Sequence, residues 1–220
     1  MSWIALLAVV MILSSSQAQA LEQGDWMFRL GASYVAPMDD SGEVQGVAGS
    51  GVGVDAASTV GFTIGGMITD HLAIELFGIT PSNHELNGEG SLPGVGISDV
   101  GDVDVFPPTL SINWYPTPKS RFRPHIGIGV SGTVYMDPDT SSEVRAVLGP
   151  DTDLDIDNTF GFGGNIGIDY DISENTFLSL GVWYIHLEAD AMLRGTTSGD
   201  LSVDVDVNPL VGFVALGMHF

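Results

Sequence analysis

Five histidines and 28 acidic residues carry most of the reactive potential of this 220-residue chain. His186 precedes Glu188 and Asp190 at strand spacing, the nearest approach to a His–carboxylate couple that could activate a serine for acyl transfer. No serine is set beside them, so the sequence assigns no catalytic residue and no enzyme is expected. His84 and His186 lack partners at zinc-ligand spacing. Asp151, Asp153, Asp155 and Asp157 line up oxygens suited to Ca²⁺, as do Asp99, Asp102 and Asp104. Neither run carries the Gly and terminal Glu of a calcium loop, so no metal site and no cofactor is assigned.

The acidic excess over six Lys and Arg gives a net charge of −22. Such a surface repels nucleic acid and draws divalent cations without a specific site. Lys119, Arg121 and Arg123 hold half of the basic residues in one short stretch. That stretch suits a solvated turn or a contact with anionic headgroups.

The elements that must position these groups are strands. Residues 3–13 form an apolar run too short to span a membrane, followed by Ala18-Gln19-Ala20, a small-x-small cleavage pattern. The expected organisation is an export signal over 1–20 and one domain over 21–220. There is no Cys, so a hydrogen-bonded ladder must replace disulfides. No later apolar run reaches the ~18 residues of a helical span, and no amphipathic helix of useful length is found.

Segments of alternating polarity recur at 26–35, 58–68, 72–84, 103–115, 123–136, 158–170, 177–193 and 201–220. The gaps at 37–57, 85–102, 137–157 and 194–200 are mostly long and rich in Gly, Ser and Asp. Those at 69–71, 116–122 and 171–176 are tight. This rhythm predicts an all-β fold: an eight-stranded antiparallel transmembrane β-barrel, an up-and-down meander with both termini in the periplasm. Its expected home is the outer membrane of a Gram-negative bacterium, among lipid and lipopolysaccharide. Trp26, Trp114, Tyr170 and Phe220 fall near the turn ends and Tyr34 and Tyr184 near the loop ends, two aromatic girdles.

The inward faces differ along the barrel. Near the turns they carry Arg29, Glu75, Asn113, His125, Asp169 and His219, and Arg29 is expected to pair with Glu75 or Asp169 in a polar plug. Near the loops they carry Phe77, Ile79 and Pro81, then Val103, Val105 and Pro107. Trp183, Ile185 and Leu187 follow on the seventh strand, and Val203, Val205, Val207, Val211 and Phe213 on the eighth. Asp153, Asp155 and Asp157 share that inward parity, which a bulge or an earlier loop would explain. A mouth apolar above and plugged below suits an apolar solute that must leave sideways. Pro81, Pro107, Pro108 and Pro209 remove ladder donors near the upper interface. They fit equally a lateral exit or simple bulges.

Several short pieces together resemble the OmpW family of small outer-membrane proteins. They are Glu75-Leu76 leading to Thr80-Pro81, Phe106-Pro107-Pro108-Thr109-Leu110 followed by Trp114-Tyr115, and Phe122-Arg123-Pro124. Gly167-Ile168-Asp169-Tyr170, Val182-Trp183-Tyr184 and the closing Phe220 complete the set, which runs from Trp26 to the end. The resemblance implies an eight-stranded barrel with a hydrophobic lumen, proposed to admit small apolar molecules by a lateral route. The family includes an alkane-import member, and some members serve as colicin or phage receptors. This chain is far more acidic than typical members, so surface partners do not carry over, and residues 1–20 lack Lys and Arg. The expected function is a passive conduit for small hydrophobic molecules. The alternative is a structural, adhesive or receptor barrel without transport, whose interior would be polar and packed throughout.

Overall fold

The computed structural model describes residues 21–38, 40–41, 43–44, 47–197 and 199–220; the export signal expected over 1–20 lies outside them. In chain order, β1 (Trp26–Ala36) is followed by β2 (Asp40–Ser41), β3 (Ser50–Val54) and β4 (Ala57–Met67). Then come β5 (Leu72–Ile79), β6 (Ser82–Gly90), a 3₁₀ turn (Pro93–Val95), β7 (Asp99–Phe106) and β8 (Thr109–Trp114). The long β9 (Phe122–Thr140) leads into helix α1 (Ser142–Leu148), β10 (Asp153–Ile156) and β11 (Thr159–Asp171). The chain closes with β12 (Thr176–His186), β13 (Glu188–Arg194), β14 (Leu201–Asp206) and β15 (Leu210–His219).

Eight of these strands form a closed ring, β1–β4–β5–β8–β9–β11–β12–β15, each antiparallel to both neighbours. Closure by β15 on β1 runs from Met27↔His219 to Ala36↔Leu210. It removes the free edge that lipid could not hydrogen-bond. Even-numbered residues such as Leu30, Ile64, Leu110, Ile128 and Leu216 are exposed on the outer face, as the alternation predicts.

Above the ring the wall divides into two sheets. One joins β3, β6, β7 and the upper end of β9; the other joins β10, β13, β14 and β2. The outer faces here are acidic rather than apolar, with Asp104, Glu188, Asp190 and Asp204 outside, so these sheets stand in water beyond the bilayer.

The transition is marked by register slips. β5 pairs with β8 up to Phe77↔Thr109 and β6 with β7 from Ser82↔Val105, so four residues, 78–81, face three, 106–108. Likewise β11 pairs with β12 up to Phe162↔His186 and β10 with β13 from Ile156↔Ala191, so five residues, 157–161, face four. An extra residue inverts the alternation. On the third strand course Ser82, His84 and Leu86 are therefore buried and Pro81 is exposed, which corrects its expected inward placement. On the sixth course Leu154 turns in, and Asp153 and Asp157 are exposed; of the two explanations open, the bulge is the one found.

The long gaps also hold more structure than the sequence predicts. Residues 85–102 contain most of β6 and the start of β7, and 37–57 contain β2 and β3. Helix α1 is an addition: Ser141 caps it by accepting from the Val144 amide at 3.1 Å. Its apolar positions, Val144, Val147 and Leu148, share one face but span barely two turns, too few for a periodic signal.

Ring closure depends on small residues where strands press together. A Cβ on Gly31 would fall 2.0 Å from the Val214 carbonyl oxygen and 2.7 Å from the Ala215 Cβ. Gly31→Val is expected to block the β1–β15 seam. The compact, fast-migrating band of unheated samples on denaturing gels should then be lost.

Candidate functional site

Three layers fill the interior, and each follows from which residues the strands point inward. Lowest lies a charged layer. Arg29 on β1 is fully enclosed and donates to Glu75 on β5 and Asp169 on β11, both at 2.7 Å. It also donates to Thr63 at 3.0 Å and to the Tyr115 hydroxyl at 2.9 Å, and Tyr115 in turn donates to Glu75 at 2.5 Å. The single guanidinium thus ties four strand courses across the lumen. The expected pairing with one carboxylate is exceeded, and Tyr115 was not foreseen because it stands at the end of a strand beside a turn.

Arg123 is the second surprise. The sequence groups it with Lys119 and Arg121 as a solvated turn or a contact with headgroups, at the start of the strand expected over 123–136, yet it is wholly buried and donates to Asp171 at 2.5 Å. Its parity on β9 is inward, as is that of His125 two residues later. Phe177 lies between the two guanidinium groups, 5.2 Å from Arg29 and 5.3 Å from Arg123. Arg121, in the turn before β9, is half-buried, donates to the Asp171 carbonyl at 2.9 Å and lies over the ring of Tyr170 at 5.2 Å. Asn113, His125 and His219 are all buried in or just above this layer. Asn113 donates to Ser111 at 3.0 Å, over the space left by Gly127.

The middle layer is aromatic. Phe77 on β5 and Trp183 on β12 stack with ring centres 4.4 Å apart, and Phe213 on β15 meets both edge-on at 5.7 and 5.8 Å. Such pairs each contribute about 0.5–1.5 kcal/mol beyond burial. Glycines make the room: a Cβ on Gly181 would fall 2.7 Å from the Trp183 ring, and one on Gly61 2.9 Å from Phe213. The three rings form a septum over the charged layer.

Above the septum lies a cavity of about 310 Å³, lined almost wholly by aliphatic side chains. Ile79, Val103, Val105, Ile185, Leu187, Val203, Val205, Val207 and Val211 all line it, so these sequence-chosen residues come together above Phe77, Trp183 and Phe213. Leu86, Leu92, Ile97, Val144 and Leu154 join them; the slipped registers and the unforeseen helix hid these from the pattern.

Pro107 and Pro209 also line the cavity, but the wall differs beside each. At Pro209 the seam is stitched: the Ile185 amide donates to the Pro209 carbonyl at 3.2 Å and the Val207 amide to Leu187 at 2.9 Å. Leu187 N–H reaches the Asn208 side chain at 3.2 Å. Beside Pro107 and Pro108, the four-against-three mismatch leaves residues 78–81 and 106–108 with no mutual pairing among the described residues. The Thr80 amide turns away to Val60 at 2.8 Å, and the Pro108 carbonyl to Gly132 at 3.0 Å.

His186, the nearest catalytic candidate, sits on the outer face against Asn208 at 2.7 Å and Glu188 at 3.7 Å. Among the few polar side chains in the cavity wall is His84. Its Nδ1 donates to the Asp55 carbonyl at 2.8 Å and its Nε2 accepts from Ser82 at 3.1 Å. Burial pushes its imidazole below the ordinary value, outweighing the Asp55 carbonyl and the Asp104 and Asp55 carboxylates, which act the other way.

Two outcomes follow. Arg29→Met leaves Glu75 and Asp169 buried without a cation and should lower stability by about 3–5 kcal/mol, read by urea unfolding in lipid vesicles. For His84 the folded state disfavours the proton, so its contribution is complete above the ordinary histidine pKa of about 6.5 and is lost as pH falls through the lower folded value. Protection of the β6 amides, taken relative to the intrinsic exchange rate at each pH, should fall on acidification, and His84→Gln should remove that dependence.

Comparison with known proteins agrees with this architecture. The chain is 32% identical over 216 residues to outer membrane protein W of Vibrio cholerae, covering 97% of each. It is 26% identical to the dibenzothiophene metabolism operon protein PahQ of Pseudomonas aeruginosa over 90% of both chains. The crystal structure of OprG from Pseudomonas aeruginosa superposes with a TM-score of 0.84 at 30% identity, covering 92% of this chain and 99% of that one. The OmpW family model matches residues 22–220, and this outer-membrane β-barrel belongs to the OmpW family.

Proposed function

We propose that the protein is a passive conduit for small hydrophobic molecules, which enter the aliphatic cavity from outside and leave sideways into the membrane. The observation that carries this reading is the cavity itself. Its aliphatic lining stabilises an apolar guest by about 25 cal/mol per Å² withdrawn from water and offers almost nothing to a polar one. Below it, the aromatic septum and the Arg29 layer oppose direct passage to the periplasm. An apolar solute meeting buried charge would strip the hydration or pairing those groups need.

The exit is the unpaired wall between residues 78–81 and 106–108, where Ile79 and Pro107 border the cavity. Pro81, Pro107 and Pro108 withhold three donors there, so parting the wall breaks no ladder bond. The stitched seam at Pro209 plays no part in release. The resemblance to PahQ, named for dibenzothiophene metabolism, favours apolar cargo over the receptor reading. On the outside, the acidic sheets gather divalent cations that bridge to lipopolysaccharide phosphates.

The test is to close the wall. Deleting Thr80 equalises the two courses, and changing Pro81, Pro107 and Pro108 to Val restores the donors. Uptake of the hydrophobic dye N-phenyl-1-naphthylamine by cells producing this variant should fall to the rate of cells without the protein. Undiminished uptake by a correctly folded variant would contradict the lateral exit.

A further inference from the structure

Large apolar side chains are exposed in numbers on this molecule, but nearly all face lipid from the ring or its periplasmic rim. Among the described residues, three stand exposed in the water-bathed portion: Met38, Val95 and Val147. Two of the three, Val95 at 54% and Val147 at 43% exposure, also line the cavity. At these two positions one side chain borders both water and the cavity.

Val95 ends the 3₁₀ turn and Val147 lies on α1, and these elements approach each other across the mouth. A Cβ on Gly96 would sit 3.8 Å from Val147. The helix is fixed in place at both ends. Glu143 accepts from the amides of Ser98 at 2.7 Å and Asp99 at 3.0 Å, and Ser141 donates to the Asp99 carbonyl at 2.5 Å. At the other end the Thr197 amide donates to Leu148 at 2.8 Å, so α1 bridges the two upper sheets. The surroundings are acidic: Glu89, Asp99, Glu143 and Asp151 are all exposed around the gap.

We infer that Val95 and Val147 are the lips of the entry doorway, and that the carboxylates around them admit uncharged apolar solutes while turning away anionic amphiphiles. Water beside two exposed valines is readily displaced by an apolar guest, which then continues onto Leu92, Ile97 and Val144 without meeting a polar group. A carboxylate or sulfonate on the same hydrocarbon frame would approach a rim of like charge, since Arg145 on α1 and Arg194 on β13 are paired with Asp139 at 2.9 Å and Asp155 at 2.8 Å. This doorway rests on the conduit reading, because it supplies the cavity that reading requires.

The experiment compares two dyes sharing one ring system, neutral N-phenyl-1-naphthylamine and anionic 8-anilinonaphthalene-1-sulfonate, entering cells with and without the protein. The unaltered protein should speed the neutral dye and not the anionic one. Val95→Asp with Val147→Asp should return neutral-dye entry to background while the compact gel band is retained. Val95→Ser with Val147→Ser serves should the aspartates impair folding. Changing Glu89→Gln, Asp99→Asn and Asp151→Asn should let the anionic dye enter. Failure of the unaltered protein to speed the neutral dye would sink the conduit itself. Normal neutral-dye entry through folded lip variants would overturn the doorway alone, and continued exclusion of the anionic dye after rim neutralisation would overturn the charge filter.

Discussion

Lipid offers a peptide group no hydrogen bond, so within the bilayer every amide and carbonyl of the wall must find a partner in a neighbouring strand. All else in this molecule is arranged around that constraint. The eight-strand ring obeys it from the turn rim to the upper interface, with one continuous register at each of its eight seams. Departures from the ladder are confined to the level where water or headgroups can take over. There the strand courses break, near Asp55, Pro81, Pro108, Asp157, Leu187 and Pro209, while β9 runs through.

Confining the breaks to one level divides the barrel into parts with different tasks. Below it, a continuous ladder encloses side chains that must satisfy each other, and Arg29 does so by reaching four courses at once. Above it, the two sheets are free to diverge and enclose aliphatic side chains at a spacing the ring does not permit. The septum of Phe77, Trp183 and Phe213 stands at the junction, held over Gly61 and Gly181. A slipped register alone does not make an opening: at the sixth and seventh courses a Cβ on Gly161 would lie 2.4 Å from the His186 carbonyl, so the wall there is tight. The third and fourth courses differ because prolines on both sides leave nothing with which to close.

How much of this was legible in the sequence depended on periodicity. A period of two that runs unbroken, as from Leu210 to Phe220, fixed both the strand and its lipid face. Arg29 and Glu75 were placed inside by the same rule. The rule fails wherever one residue is inserted, because parity then inverts without any local sign. On unbroken parity His84 falls on the outer face of a strand ending there and Leu86 in a loop, and the inward parity of Asp153, Asp155 and Asp157 stands as an exception that either a bulge or an earlier loop would explain. Arg123 is hidden for a different reason: Lys119, Arg121 and Arg123 together read as a surface patch, but β9 begins at Phe122, so only Arg123 lies in the strand and takes its inward parity. Helix α1 is too short for its 3.6-residue period to stand out from seven residues.

The claim on which the account rests is that the aliphatic space above the septum carries the solute. It is tested most directly by placing charge there and following N-phenyl-1-naphthylamine into cells. Trp183→Asp with Val205→Asp puts two carboxylates at the septum and in the wall of the cavity without touching the doorway or the lateral gap. The account predicts that a folded, membrane-inserted variant takes up the dye no faster than cells lacking the protein. Uptake equal to that of the unaltered protein would mean that the cavity only packs the barrel's extension.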